Sequence, residues 1–228
     1  MKKNSTINDL IKLMARLRSP TGCPWDREQD HLSLRFHAVE EVYELMDAIE
    51  AGDDHEMIEE LGDLLLQVVF HCQLARERGA FDFDDVARRI TNKLIRRHPH
   101  VFGDVKVKNV DQVWANWEKI KQAEKHGTRH ARPSALDGIP KHLPALLRAE
   151  KLAKQSLKAG LAVIRKGKGG PKKSEIGRAL FDVTAYAQAH GWSTEELLRA
   201  ETRKIERQLR SRERKAAAVA RGSVRASF

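Results

Sequence analysis

Apolar residues recur every three or four positions along most of this 228-residue chain, the period of a helix with one face turned away from water. Leu10, Ile11, Met14 and Leu17 mark a first helix, which Pro20, Gly22 and Pro24 of SPTGCPWDREQD bring to an end. Val39, Val42, Tyr43, Met46 and Ile49 form the stripe of a second, predicted to stop near Gly52. Ile58, Leu61, Leu64, Leu65, Val68, Val69 and Cys72 give a third that runs to about Arg78 and Gly79. Further helices are predicted at about 83–97 and 110–125, separated by HPHVFGDVKVKN. No convincing run alternates at the two-residue period of a strand, so the fold class expected is all-α.

Beyond the fifth of these helices the pattern breaks twice. HGTRHARPSALDGIPKH, residues 126–142, is rich in Gly, Pro and His and is expected to be a linker. LPALLRAEKLAKQSL resumes a helix, RKGKGGPKK interrupts it with Gly and Lys, and two more helices are predicted at 174–189 and 193–214. The organisation expected is one helical domain over 1–125, the linker at 126–142, a second helical region over 143–215 and a flexible tail at 216–228. A weak internal repeat links the halves. Residues 60–97 lie over 175–210 as an acidic opening, an apolar helix, a Gly turn and a basic amphipathic helix. The match fails where acids matter most, since Arg178 stands opposite Asp63 and nothing like EEVYE precedes Glu175. The second region is thus a degenerate copy.

No apolar run approaches the roughly 18 residues of a membrane span, and MKKNSTINDL lacks the apolar centre of a secretory signal. A soluble, cytoplasmic protein with no membrane partner is expected. Cys23 and Cys72 make no zinc spacing and no disulfide is predicted. The formal charge of +10 is unevenly placed: residues 1–125 hold 19 Lys and Arg against 23 Asp and Glu, and residues 126–228 hold 23 against 9. Any binding of nucleic acid belongs to the second half.

The acids of the first half pose the chemical question. Glu40, Glu41 and Glu44 can share one flank of the second helix, and Glu60 and Asp63 repeat the three-residue spacing on the third. If the two helices fold back on each other about AGDDH, residue numbers with a constant sum lie at the same height. Glu44 then faces Glu60, and Glu41 faces Asp63, one turn apart. Residues 37–75 contain no Lys or Arg to neutralise them, and carboxylates crowded in a partly buried place cannot all stay ionised unaided. A divalent cation removes that cost, and an all-oxygen donor set favours Mg²⁺, with Mn²⁺ as a substitute. A di-iron site wants Glu-x-x-His from two helices, and Glu28 to His31, the one such spacing, falls in the broken segment. Lys93 and Arg97 lie four apart on one helix, and Trp117 and Lys121 four apart on the next. A cationic pair and an aromatic-flanked lysine suit a polyphosphate held against the metal.

EEVYE followed by EELGD resembles the EExxE and ExxD signature of the MazG nucleoside triphosphate pyrophosphohydrolase family. GCPWDREQ, RRHPHVF and WEKIK are similar to that family's flanking blocks, in the same order, and SALDGIPKHLPALLRAEKLAK continues the resemblance past residue 125. The resemblance implies a MazG-like helical bundle, a homodimer, and Mg²⁺-dependent cleavage of a nucleoside triphosphate to the monophosphate and pyrophosphate, in nucleotide-pool cleansing or regulation. It makes Glu41, Glu44, Glu60 and Asp63 metal ligands, with Glu40 a further ligand or water-orienting base. It assigns Lys93, Arg97 and Lys121 to phosphates and Trp117 to the nucleotide site. Longer members resemble two tandem copies, each with its own carboxylates, from which this second half departs. The rival expectation is a nucleic-acid-binding or regulatory protein that acts through the basic half, with the acidic bundle as a dimerisation module.

Overall fold

The computed structural model describes residues 5–124, 127–128, 131, 133–162 and 170–225. The chain forms two compact units, Met1–Lys121 and Gln122–Phe228. Every regular element among the described residues is a helix.

The first unit begins with α1 (Ile7–Leu17) and a single turn α2 (Pro24–Glu28), started by Pro24 inside the segment expected only to break the chain. α3 (His37–Ala51) and α4 (Asp54–Glu77) then fold back on each other as an antiparallel hairpin. Gly52 makes that reversal possible: at φ +67° it takes the left-handed conformation that ends α3, and the Asp53 amide returns to the Ala48 carbonyl at 3.1 Å. Asp53 at once caps α4, its carboxylate accepting from the His55 and Glu56 amides. α5 (Phe83–Arg97), the short α6 (Pro99–Phe102) and α7 (Val110–Ala123) complete the unit. The core is Met14, Leu34, Val69, Phe70 and Leu74, with Ile7, Leu10, Ile11, Leu17, Leu66 and Phe83 packed on it.

Two polar ties hold the segment between α1 and α3 against α4. Arg18 donates to both Glu77 oxygens at 2.7 Å, and its other nitrogen reaches the carbonyls of Asp26 and Gln29. His31 meets His71 with the two Nδ1 atoms 2.9 Å apart and the rings 13° from parallel. The ring centres are 5.1 Å apart, the separation two imidazoles give when both nitrogens lie on the line between centres. That is a straight N–H···N bond, one ring donating and the other accepting, and its lone pairs do not converge on a metal.

The apolar stripe of α3 does not enter this core. Val39, Val42, Tyr43, Met46 and Ile49 are exposed, as are Ile58, Leu61, Leu65 and Val68 of α4, so the hairpin presents an open apolar face.

The second unit contains α8 (Ala145–Lys158), α9 (Lys173–Ala189) and α10 (Thr194–Arg225), with α8 packed along α10. α9 and α10 repeat the plan of α4 and α5: Gly79 and Gly191 both sit at positive φ, and the amides of Ala80 and Trp192 return to carbonyls five residues back. Two expectations change here. Residues 134–139, within the expected linker, belong to the unit's core, because Leu136 packs with Leu152, Leu209 and Ile139 at 1% exposure. The helix expected to end at 214 also runs through AAAVARGSVR to Arg225, for which alanine's helix propensity is the reason. Of RKGKGGPKK, residues 165–169 lie outside the described residues, and Lys172 caps α9.

Candidate active site

The hairpin delivers the carboxylates as the constant-sum rule requires. Oxygens of Glu41, Glu60 and Asp63 all lie within 4.8 Å of one another. Glu41 from α3 and Glu60 from α4 are half-buried, while Asp63, Glu40 and Glu44 are exposed at the rim. Burial raises the Glu41 carboxyl above its ordinary range, and of the neighbouring acids Asp63 adds most to the rise. Burial also raises Glu60, and there Glu44 leads the repulsion. Both helical pairs inferred from residue spacing thus reappear as electrostatic pairs. Glu60 Oε2 is sealed from solvent without a hydrogen-bond partner, an unsatisfied buried acceptor of the kind that calls for an explanation.

Gln67 has no counterpart in the residue pattern that marked the acids. It is buried at 8% exposure, four residues after Asp63, and its Nε2 donates to Glu41 Oε1 at 3.4 Å. Helical spacing from Asp63 was the available signal, but an amide between two apolar neighbours carries no charge pattern to single it out. Glu40 is reached by the His37 ring at 3.7 Å. A second acidic grouping, His55, Glu56 and Glu59, is exposed throughout and sits at the start of α4, where acids favour the helix dipole.

The basic residues gather around one ring. Arg97, buried at 7% exposure, places its guanidinium carbon 5.0 Å from the Trp117 ring centre, and Lys121 Nζ stands 4.8 Å from it. Lys121 also pairs with Glu118 at 3.4 Å, and Trp114 packs edge-on against Trp117 at 5.8 Å. Lys93 is half-buried one turn before Arg97, and no described contact joins it to the ring. The group is therefore a cation–aromatic cluster of α5 and α7. The charges that shift Glu41 and Glu60 come from carboxylates.

In the second unit the corresponding acids are spent locally. Glu175 accepts from the Lys172 amide at 2.8 Å at the start of α9, and Arg178 pairs with Asp182 at 2.9 Å. No metal-sized acid grouping occurs there among the described residues.

A model of the MazG nucleotide pyrophosphohydrolase domain matches residues 29–102, the span that holds all five carboxylates. The nucleoside triphosphate pyrophosphohydrolase of Escherichia coli (strain K12) is 40% identical over 238 aligned positions, which cover 93% of this chain and 89% of that one. The chain belongs to the MazG family. It is also 47% identical over 152 residues to the nucleoside triphosphate pyrophosphohydrolase/pyrophosphatase MazG of Thermotoga maritima, covering 67% of this chain and 57% of that one. Uncharacterized protein YabN of Bacillus subtilis (strain 168) is 51% identical over 150 residues, 66% of this chain, and the chain spans only 29% of its length. The MazG domain match ends at Phe102, so Lys93 and Arg97 fall inside it and Trp117 and Lys121 beyond it.

Proposed function

We propose that this chain hydrolyses nucleoside triphosphates to the monophosphate and pyrophosphate, in a Mg²⁺-dependent reaction at the α3–α4 carboxylates. The observation that carries the reading is the convergence of Glu41, Glu60 and Asp63 within 4.8 Å, with one buried oxygen left unsatisfied. An all-carboxylate donor set fits a hard divalent ion, Mg²⁺ with Mn²⁺ as substitute. Glu41, Glu44, Glu60 and Asp63 would hold it, and when bound it supplies Lewis-acid polarisation of phosphate oxygens and neutralises the acids' mutual repulsion.

The chain's own residues supply the rest. Gln67 orients Glu41 by its hydrogen bond and leaves the second carboxylate oxygen free. Glu40, exposed at the rim, accepts the proton of the attacking water. Lys93, Arg97 and Lys121 neutralise charge on the triphosphate as the P–O bond to the leaving pyrophosphate breaks, and Trp117 offers the flat apolar surface for the nucleotide. The relatives named as nucleoside triphosphate pyrophosphohydrolases support the reaction class.

The open apolar face of α3 and α4 supports a homodimer in which that face meets its copy, for such a surface on a lone unit would invite association. No described helix is long and apolar enough to cross a membrane. The role that goes with this reaction is cytoplasmic nucleotide-pool cleansing or regulation. Chromatography of the products from a nucleotide panel, run with Mg²⁺ and with chelator, tests the reaction. Release of orthophosphate instead of pyrophosphate would sink it.

A further inference from the structure

α10 sorts its charges by side. Between Thr202 and Lys215 its two acids both turn inward and are bound by their own unit. Glu206 accepts from Arg148 and from Arg210 at 2.8 Å, and Glu213 accepts from the Ser134 hydroxyl and from the Ala135 amide at 2.7 Å. Burial pushes Glu206 up, but the bonds from Arg210 and Arg148 outweigh it and hold the carboxyl below its ordinary value. Arg210 is drawn inward with them, to Asp137 at 2.7 Å. The outward side keeps the cations. Arg203, Lys204, Arg207, Arg212, Arg214 and Lys215 are all exposed, and of these only Lys204 enters a described ion pair, with Glu201 at 3.3 Å. At 3.6 residues per turn Arg203, Arg207 and Arg214 fall within about 40° of one another, with Lys204 and Lys215 beside them.

We propose that this outward face of α10 binds the phosphate backbone of nucleic acid. Three features select that partner. From Arg203 to Lys215 the row runs about 18 Å along the axis, several phosphates long, and a single nucleotide could meet only one or two of its cations. Guanidinium groups suit phosphate oxygens, and Gln208 and Ser211 are the only polar uncharged side chains among them, so the contact is to backbone with little to read bases. A lipid surface would need an apolar side of the same helix. On α10 Leu209 is already buried against Leu136 and Leu152, and Ile205 is the one large apolar side chain exposed between Arg203 and Lys215, too little for the interfacial arrangement of a membrane-bound helix.

The test is fluorescence anisotropy of the full chain with a labelled 20-base-pair DNA and a labelled 20-nucleotide RNA across a salt series. Five phosphate contacts predict that log K falls against log salt with a slope of about −4.5 on duplex DNA, roughly a 500-fold loss from 50 to 200 mM salt. The triple substitution Arg203→Gln, Arg207→Gln, Arg214→Gln should flatten the slope by about 2.7, and Lys106→Gln with Lys108→Gln on the first unit should leave it unchanged. Arms for DNA and RNA show which backbone is preferred. Equal binding by wild type and triple variant, or no binding to either at 50 mM salt, overturns the proposal. So does tighter association with anionic phosphatidylglycerol vesicles than with either nucleic acid. Nucleoside triphosphate turnover of the triple variant is expected to match wild type, which separates this site from the one on α3 and α4.

Discussion

Neutralising Glu41 should make the protein more stable and less able to bind metal. Two full charges within 4.8 Å of each other repel by at least about 3 kcal/mol at an effective dielectric near 20. Exposure of Asp63 and of the rim lowers that to about 1–2 kcal/mol. Glu41→Gln removes the charge at nearly constant shape, and the new amide oxygen can still accept from Gln67 Nε2. The metal-free variant should therefore melt about 3–6 °C above metal-free wild type. Adding Mg²⁺ should reverse the order: wild type rises as the cation relieves its acids, and the variant, short of a ligand, moves little. Differential scanning fluorimetry of both proteins in chelator and in a Mg²⁺ series reads all four values. A metal-free variant less stable than wild type, or one that keeps the full Mg²⁺ shift, refutes the claim that repulsion at this cluster is what a cation relieves.

Arg18→Ala leaves Glu77 with its Gln73 bond and solvent, and frees two carbonyls of the segment before α3; with the Glu77 side chain a third exposed, it should cost about 2 kcal/mol in urea melts. Because the Arg18 bonds hold Glu77 below its ordinary value, that contribution is present at neutral pH in wild type and is lost as pH falls through the folded pKa. Burial, then His31, lowers the His71 pKa below 6.5, so the unfolded state binds protons first and stability should decline as pH drops from about 6.5 through the lower folded value. His71→Gln, which can keep a hydrogen bond to His31, should flatten that decline between pH 7 and 5 in guanidinium melts, and an unchanged slope would exclude the pair. Leu136→Ala should destabilise the second unit by about 2–5 kcal/mol, as a core truncation does, and leave nucleotide turnover intact. A cost below 0.5 kcal/mol would return residues 134–139 to the status of a linker.

The hairpin and its acids were legible because a 3.6-residue period and one glycine fix both the faces of two helices and their register. Glu41, Glu60 and Asp63 meet for the same reason that 41 plus 63 equals 44 plus 60. What periodicity cannot say is what covers an apolar stripe, and the stripe of α3 stays open in the single chain. The Gly and Pro content of SALDGIP signalled a loop correctly, yet composition carries no sign that Leu136 is the side chain the loop buries. Gln67 and the His31–His71 bond join residues 26 and 40 positions apart and left no local pattern. The charge asymmetry between the halves was plain, but its resolution into inward acids and outward cations on α10 depends on the contacts of Glu206 and Glu213.

The central claim rests on Asp63, the exposed member of the carboxylate triad. Phosphorus NMR of a nucleoside triphosphate incubated with wild type and with Asp63→Asn, each with saturating Mg²⁺ and matched for helical content by circular dichroism, tests it most directly. The account predicts equimolar monophosphate and pyrophosphate from wild type, none in chelator, and at least a hundredfold slower release from the variant, a loss of about 2.7 kcal/mol of transition-state stabilisation. Nucleoside diphosphate and orthophosphate as products, or an Asp63→Asn rate equal to wild type, would contradict it.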